Sequence, residues 1–322
     1  MTGMPGAHLD VVVLGEVLVE FSSLTPLADG APVRLGFSGD ALNAAAAAAA
    51  AGAHTALVAR VPDDDLGVAL VARVAELGVD TRWIRRLPGG HGVYVTHADP
   101  QGRREFAYAR SGSVGSTLAP EDLDEDALAA AGVVVASGVA AAVSDTAAAT
   151  VRRAAQVARR FVYDPNFRPR LTTAAQAAEV LRELAPHAEL VTPSWPDETS
   201  ALLGIPADAP ASVAARRVLD LGCASVALTC GPRGVVLANA DGTTEIPGVA
   251  APRVVDQTGA GDCLTGTIAA RLSLGDPLEV AAQLGVAAAA LSVQGQGGTG
   301  HLASVEEMRA ALSRPQEEVG TR

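Results

Sequence analysis

Val254-Val255-Asp256-Gln257-Thr258-Gly259-Ala260-Gly261-Asp262-Cys263-Leu264-Thr265-Gly266 decides how the rest of this chain is read. The two β-branched residues predict the end of a strand, Gly259-Ala260-Gly261 a tight turn, and the apolar residues beyond it a helix running to Leu272. Glycines at 259 and 261 let the backbone turn its N–H groups outward with no Cβ in the way. At a helix N-terminus those donors add to the positive end of the macrodipole, so the turn suits a phosphoryl group. Asp262 stands at the lip of the same anion site. A carboxylate there repels a phosphate bound alone, but it has a purpose if it takes the proton of a hydroxyl that attacks the phosphorus. The simpler alternative is a dipole-favoured helix residue beside a glycine turn. A dinucleotide fingerprint is broken because Leu264 occupies the third glycine position, which disfavours a nicotinamide dehydrogenase.

Composition narrows the field further. All 24 basic residues are arginine. Without lysine there is no P-loop, no Schiff base and no protein-kinase strand lysine, so phosphate charge must be met by arginine, backbone N–H groups or a metal ion. A formal net charge of −12 with no basic stripe argues against a nucleic-acid partner. Cys223, Cys230 and Cys263 lack metal spacing and suit a reducing cytoplasm, and no apolar run has the length of a membrane span. At 322 residues, with no visible repeat or linker, a single α/β domain over 1–322 is expected.

Outward from the central stretch, Asp10–Gly15 predicts a buried parallel strand. Glu16–Phe21 and Arg34–Phe37 alternate, which predicts strands with one face to solvent. Ser38-Gly39-Asp40-Ala41-Leu42-Asn43 opens an alanine helix that Ser38 or Asp40 can cap and Gly52 can end; Asn43 in its first turn can reach past the helix end. Asp63-Asp64-Asp65 predicts a helix start. Strands over 92–98 and 104–110 flank the turn signal Asp99-Pro100-Gln101-Gly102. With the strands over 16–37 they form a small sheet, a lid over roughly 16–37 and 91–110, and Tyr94, Tyr108 and Arg110 share one of its faces. A strand over 133–137, one helix through Arg160, and a strand at 161–163 follow. Asp164-Pro165-Asn166-Phe167-Arg168 then lies at the strand's C-terminal end, where ligands gather in open α/β sheets.

In this order the motifs resemble those of the ribokinase-like, or PfkB, carbohydrate kinases, over roughly residues 10–301. Ser38–Asn43 is similar to the family's first signature, with serine for its first glycine, and Asp256–Asp262 to its second. The resemblance implies a three-layer α/β/α sandwich with a mainly parallel sheet and a β-sheet lid. It also implies ATP-dependent phosphorylation of a primary hydroxyl. Asp262 matches the catalytic base, and Gly259, Ala260 and Gly261 the anion hole; Arg168 lies beside the reacting groups. Glu20, Gly39, Asp40, Asn43, Tyr94, Tyr108, Arg110 and Arg168 match substrate-binding positions. Thr229, Gly231 and Gly234, with Gly259 and Gly261, fall in the nucleotide region. Glu198 matches the acid linked to Mg²⁺ through water, and Asp256 falls where the family often binds a monovalent cation such as K⁺. Family members often pair through their lids, which implies a homodimer.

Within the family, Tyr94, Tyr108, Arg110 and Asp164–Arg168 are most similar to 2-keto-3-deoxygluconate kinases, whose arginines meet an acidic sugar. Fructokinases share the Gly15-Glu16 start but place aspartate where this chain has Glu20. Trp195 replaces a usual asparagine, Thr229-Cys230 a Lys-Arg pair and His91 a threonine. These departures leave room for an unusual sugar or cyclitol, and for a sugar-binding regulator without turnover.

Overall fold

The computed structural model describes residues 8–97 and 106–314; the turn expected at Asp99–Gly102 lies outside them. The first half of the chain runs β1 (Val11–Leu14), β2 (Leu18–Ser23), β3 (Arg34–Ser38), α1 (Asp40–Ala50), β4 (Thr55–Pro62), α2 (Asp65–Glu76), β5 (Val79–Asp80), β6 (Ile84–Leu87), β7 (Val93–His97), β8 (Phe106–Ala109), α3 (Glu125–Ala130) and β9 (Val133–Ser137). It continues with α4 (Gly138–Ala142), α5 (Asp145–Val157), β10 (Phe161–Asp164), α6 (Ala174–Leu184), β11 (Leu190–Val191), α7 (Asp197–Leu203), α8 (Ala211–Leu219) and β12 (Ser225–Thr229). β13 (Gly234–Asn239), β14 (Gly242–Pro247), α9 (Ala260–Ser273), α10 (Leu278–Ser292) and α11 (Val305–Leu312) complete it.

The large sheet has the order β14-β13-β12-β11-β10-β9-β1-β4-β5, with β6 also beside β4. Its middle is parallel, and only β12–β13 and β13–β14 pair antiparallel. The central strands β1, β4, β9 and β10 are buried along their whole length, as a sheet covered on both faces requires. Leu42, Ile268, Leu284 and Met308, from α1, α9, α10 and α11, fill one side. Leu128, Val151, Leu181 and Val218, from α3, α5, α6 and α8, fill the other. This is the expected three-layer sandwich.

The lid is a second sheet of order β3-β2-β7-β8, with β2 parallel to β7 and antiparallel to β3. Four local expectations are corrected. β2 is not half-exposed: Leu18, Val19, Glu20, Ser22 and Ser23 are all buried, so the acidic–apolar alternation does not mark a solvent face. No strand ends at Val254-Val255; the Val255 and Asp256 N–H groups instead donate to the Val293 carbonyl at 2.8 and 3.1 Å, tying the segment to the end of α10. The single helix expected up to Arg160 is two. α5 restarts at Ser144, whose hydroxyl accepts from the Ala147 N–H at 3.1 Å and donates to the Ser116 carbonyl at 2.6 Å. α1 begins after Gly39 without a side-chain cap, because Ser38 and Asp40 are engaged with Asn43 and Ser137. The start at Asp63–Asp65 is as expected, with Asp64 accepting from the Gly67 N–H at 2.7 Å.

The alanines and glycines bring α1 and α9 together closely. A Cβ on Gly266 would lie 2.0 Å from the Ala44 carbonyl oxygen. That contact sets the first turns of both helices side by side at one end of the sheet.

Candidate active site

α1 and α9 deliver Asn43 and Asp262 to each other. The Asn43 amide donates to Asp262 Oδ2 at 2.8 Å, and Ser38 Oγ donates to Asn43 Oδ1 at 3.1 Å. Gly259 has φ +80°, and a Cβ there would meet the Gly298 carbonyl oxygen at 2.9 Å, so only glycine fits at the turn. Nothing lies within 4 Å of a Cβ on Gly261, which leaves the tip of α9 open. The N–H groups of Gly261 and Asp262 have no acceptor within their own helix and point beyond its end.

The loop after β10 supplies the second amide. Asn166 Nδ2 donates to Asp262 Oδ1 at 3.0 Å. Its backbone is left-handed at φ +41°, a conformation asparagine tolerates, and its N–H is held by Asp164 Oδ1 at 3.0 Å. Both oxygens of the buried Asp262 are therefore fixed by neutral donors. Burial, and then the charge of Asp40, push its carboxyl up to about 6; the Asn43 hydrogen bond, the Arg168 charge and the Asn166 hydrogen bond oppose the shift. Burial and the Glu198 and Asp262 charges push Asp164 well above the ordinary carboxylate range. A small cleft lined by Asp40, Ser137, Asp164, Asn166 and Asp262 connects these groups. Asp40 accepts from the Ser137 hydroxyl.

Glu198, at the start of α7, accepts from the Phe167 N–H at 2.5 Å with one oxygen and from the Ser194 N–H at 2.6 Å with the other. Burial raises its carboxyl while these two bonds lower it. It thus locks the Asn166 loop to the segment after β11, and that segment touches β12, since the Trp195 N–H donates to the Thr229 carbonyl at 2.8 Å. Beyond Thr229, Gly231 is exposed with open space at its Cβ position. Gly234 is buried, and a Cβ there would strike the Ile246 carbonyl oxygen at 2.1 Å, so it lets the open ends of β13 and β14 meet backbone to backbone. No group of three or more histidine, cysteine or acidic side chains among the described residues is placed to cage a metal. Glu198 fits a hydrated ion held from one side, the usual habit of Mg²⁺ beside phosphates.

The lid brings the other residues to one face. Tyr94 pairs across the sheet with Tyr108, ring centroids 5.8 Å apart, and the Arg110 guanidinium lies 5.2 Å from the Tyr108 ring centroid. Glu20 accepts from the Tyr94 hydroxyl and from the Gly298 N–H at 3.3 Å. Burial and the Glu20 charge hold the Tyr94 phenol well above its ordinary value, so it remains a donor. Asp256 is fully buried and accepts from the Thr258 N–H at 2.9 Å and the Gly297 N–H at 3.0 Å. The 295–300 loop therefore packs between the lid, at Glu20, and the base of the site, at Asn43. Arg168, two residues beyond Asn166, is exposed, and its charge acts on Asp262. A cavity of about 370 Å³ opens behind that loop between α4, α5 and α6, sharing Asn166 and Arg168 with the site, but Asp262 does not line it.

Ser137 and Gly298 are contacts that sequence reasoning did not single out, and Asp164 and Asn166, in the loop placed where ligands gather, had no individual role assigned. Asn166 carried a signal, an asparagine between two prolines at a strand's C-terminal end.

The model of the "pfkB family carbohydrate kinase" matches residues 8–304. A 2-dehydro-3-deoxygluconokinase from Thermoproteus tenax is 32% identical over 312 residues, 95% of this chain and 95% of that protein. A 2-dehydro-3-deoxygalactonokinase from Haloferax volcanii is 28% identical over 255 residues, 77% of this chain and 79% of its own. Among solved structures, a putative ribokinase II from E. coli in complex with ATP and Mg²⁺ superposes with a TM-score of 0.84 at 23% identity, covering 95% of this chain and 100% of that one. No helix among the described residues is long and apolar enough to cross a membrane.

Proposed function

The chain belongs to the pfkB family of carbohydrate kinases and is an ATP-dependent sugar kinase, and from that premise we propose that it phosphorylates a primary hydroxyl of a 2-keto-3-deoxygluconate-like sugar acid, with Asp262 as general base. One observation carries the chemistry. Asp262 is a buried carboxylate clamped by Asn43 and Asn166 at the open N-terminus of α9, with its pKa raised to about 6. A base tuned toward neutral pH, with its orientation fixed, is what proton removal from an alcohol needs. As the hydroxyl oxygen attacks the γ-phosphorus of ATP, Asp262 takes the hydroxyl proton and the bond from the γ-phosphorus to the ADP oxygen breaks. The open N–H groups of Gly261 and Asp262 meet the charge that builds on the transferring group; Gly259 and Ala260, expected to join them, form the turn that presents them, the Ala260 N–H donating instead to the Gln257 carbonyl at 3.4 Å. Glu198, through water, would hold Mg²⁺, which supplies positive charge to the nucleotide phosphates. Gly231 and Thr229 border the nucleotide and Gly234 shapes their loop; Asp256, buried and holding the Thr258 and Gly297 N–H groups, would supply the negative charge for a monovalent cation. The regulator alternative gives way to the kinase family and an intact Asp262.

The sugar-acid assignment is supported by the arginines. Arg110 lies over the Tyr108 ring on the lid and the charge of Arg168, on the β10 loop, reaches Asp262; we assign both to the substrate carboxylate, and Glu20, Asp40, Asn43, Tyr94 and Tyr108 to its hydroxyls. Both curated relatives reported above are named for 2-dehydro-3-deoxy sugar acids. A hydrogen bond to a charged group contributes about 1.5–3 kcal/mol, so 2-keto-3-deoxygluconate should exceed fructose in kcat/KM by roughly tenfold to a hundredfold. ADP release measured across sugar acids, ketohexoses, nucleosides and cyclitols tests this. Equal use of fructose, or preference for a neutral cyclitol, sinks the sugar-acid assignment and leaves the kinase.

The lid's outer edge is proposed as the contact between two copies of the chain. Leu24, Leu27, Val33 and Leu35 are exposed on β3 and its approach, an apolar edge strand of the kind proteins cover. Light scattering should give twice the chain mass, and Leu35→Glu should give the single-chain mass.

A further inference from the structure

We propose that Glu16 is the positioning residue for Arg110, and that this buried pair sets the preference for an acidic over a neutral sugar. The inference rests on the assignment of Arg110 to the substrate carboxylate. Glu16 lies between β1 and β2 and is 2% exposed. Its Oε1 accepts from Ser113 Oγ at 2.8 Å, and its Oε2 lies 3.6 Å from Arg110 Nη1. Neither Glu16 Oε2 nor Arg110 Nη2 has a hydrogen-bond partner among the described residues, although both are buried.

Native structures rarely leave such atoms unsatisfied without a reason. The fork of Arg110 is held beside Glu16 through one nitrogen and covered on one face by the Tyr108 ring, 5.2 Å away. Its second nitrogen is enclosed, so the 11% of the side chain that stays accessible is what an incoming carboxylate meets, in the orientation that Glu16 sets.

The surroundings are built to hold Glu16 rather than merely to tolerate it. A Cβ on Gly92 would come within 2.7 Å of its Oε1, and a Cβ on Gly115 within 2.7 Å of its Cγ. Those glycines, with Ser113, belong to the segments that enter β7 and follow β8, while Glu16 leads into β2. The carboxylate therefore sits where three lid connections meet the core. The orientation of Arg110 and the seating of the lid depend on the same side chain.

The test compares Glu16→Gln, Arg110→Gln, the double variant and Ser113→Ala, measuring kcat and KM for 2-keto-3-deoxygluconate and for fructose. Arg110→Gln should raise KM for the sugar acid about tenfold or more, since it removes a charge-assisted hydrogen bond. Glu16→Gln should raise the same KM by about tenfold with kcat changed less than about twofold and fructose KM unmoved. The double variant should be no worse than Arg110→Gln, because coupled residues are not additive. Ser113→Ala should shift KM in the same direction by less, and it decides the matter if Glu16→Gln does not fold. Multiplying effects of the two substitutions overturn the proposal. So does a Glu16→Gln protein that melts earlier yet keeps the wild-type ratio of sugar acid to fructose, since that makes Glu16 a structural anchor only. If Arg110→Gln leaves the sugar-acid KM unchanged, the substrate assignment fails and this inference with it. If Arg110→Gln acts and Glu16→Gln does not, the inference alone fails.

Discussion

Asp262→Asn is expected to lower kcat about 10³-fold, while calorimetry still detects sugar and ATP binding. General-base catalysis contributes about 10²–10⁴-fold, and the asparagine keeps the size of the side chain between Asn43 and Asn166 while losing its proton affinity. The pH profile supplies a second readout. Burial raises the Asp262 carboxyl to about 6, so the base is ionised above that pH and protonated below it. kcat/KM should therefore be flat above about pH 6 and fall tenfold per unit beneath, a limb far above that of an ordinary aspartate. Asp40 is the second cause of the shift, and Asp40→Asn should move the limb downward. The limb should vanish in Asp262→Asn. Turnover of that variant within threefold of wild type, or a limb that survives in it, would remove Asp262 as the base.

The groups behind that prediction differ in how visible they are without coordinates. Asp262 and Asn43 stand in motifs whose local chemistry already points outward from helix ends, and the structure joins them at 2.8 Å. Asn166 is 96 residues from Asp262 in sequence, so its hydrogen bond depends on how β10 and α9 are arranged across the sheet, which no local pattern encodes. Glu16 is concealed for the opposite reason. Acid–apolar alternation ordinarily marks a strand with a wet face, but β7 and the segment at Ser113 close over this one, turning an apparent surface glutamate into a 2%-exposed partner of arginine.

Backbone elements show the same division. The buried strands β1, β4 and β9 are legible as β-branched runs, and the lid strands as alternating ones flanking a turn signal. Val254-Val255 has the same composition but spends its N–H groups on the Val293 carbonyl, and so never joins a sheet. The Ser144-Asp145 helix-start signal was present in the sequence, but the alanines on either side conceal it until the Ser144 hydroxyl is seen bridging to Ser116. Gly234 resembles Gly231 in a glycine loop, and only the 2.1 Å approach to the Ile246 carbonyl separates a packing glycine from one with open space at its Cβ position.

Two glycines of α9 should accordingly respond in opposite ways to the same substitution. Gly266→Ala gains about 1 kcal/mol of helix propensity. It also places a Cβ 2.0 Å from the Ala44 carbonyl oxygen, where contacts under about 3 Å do not persist. The obstacle is helix backbone, so no side-chain rotation relieves it and α1 must move away from α9 by about 1 Å. Overpacking of this kind costs about 1–3 kcal/mol, and a backbone obstacle puts the cost at the upper end, so destabilisation outweighs the propensity gain. The displacement also draws Asn43 off Asp262, from 2.8 Å toward the limit of a hydrogen bond, so kcat should fall along with the denaturant midpoint. Gly261→Ala meets nothing within 4 Å and should leave the midpoint unchanged or higher. Its methyl group instead stands at the open tip of the helix, the proposed seat of the phosphoryl group, so kcat should drop about tenfold or more with folding intact. Denaturant melts and turnover of the two proteins, measured together, check both halves. A Gly266→Ala protein as stable and active as wild type would mean that α1 and α9 do not pack backbone to backbone. A fully active Gly261→Ala would mean that the phosphoryl group is held elsewhere.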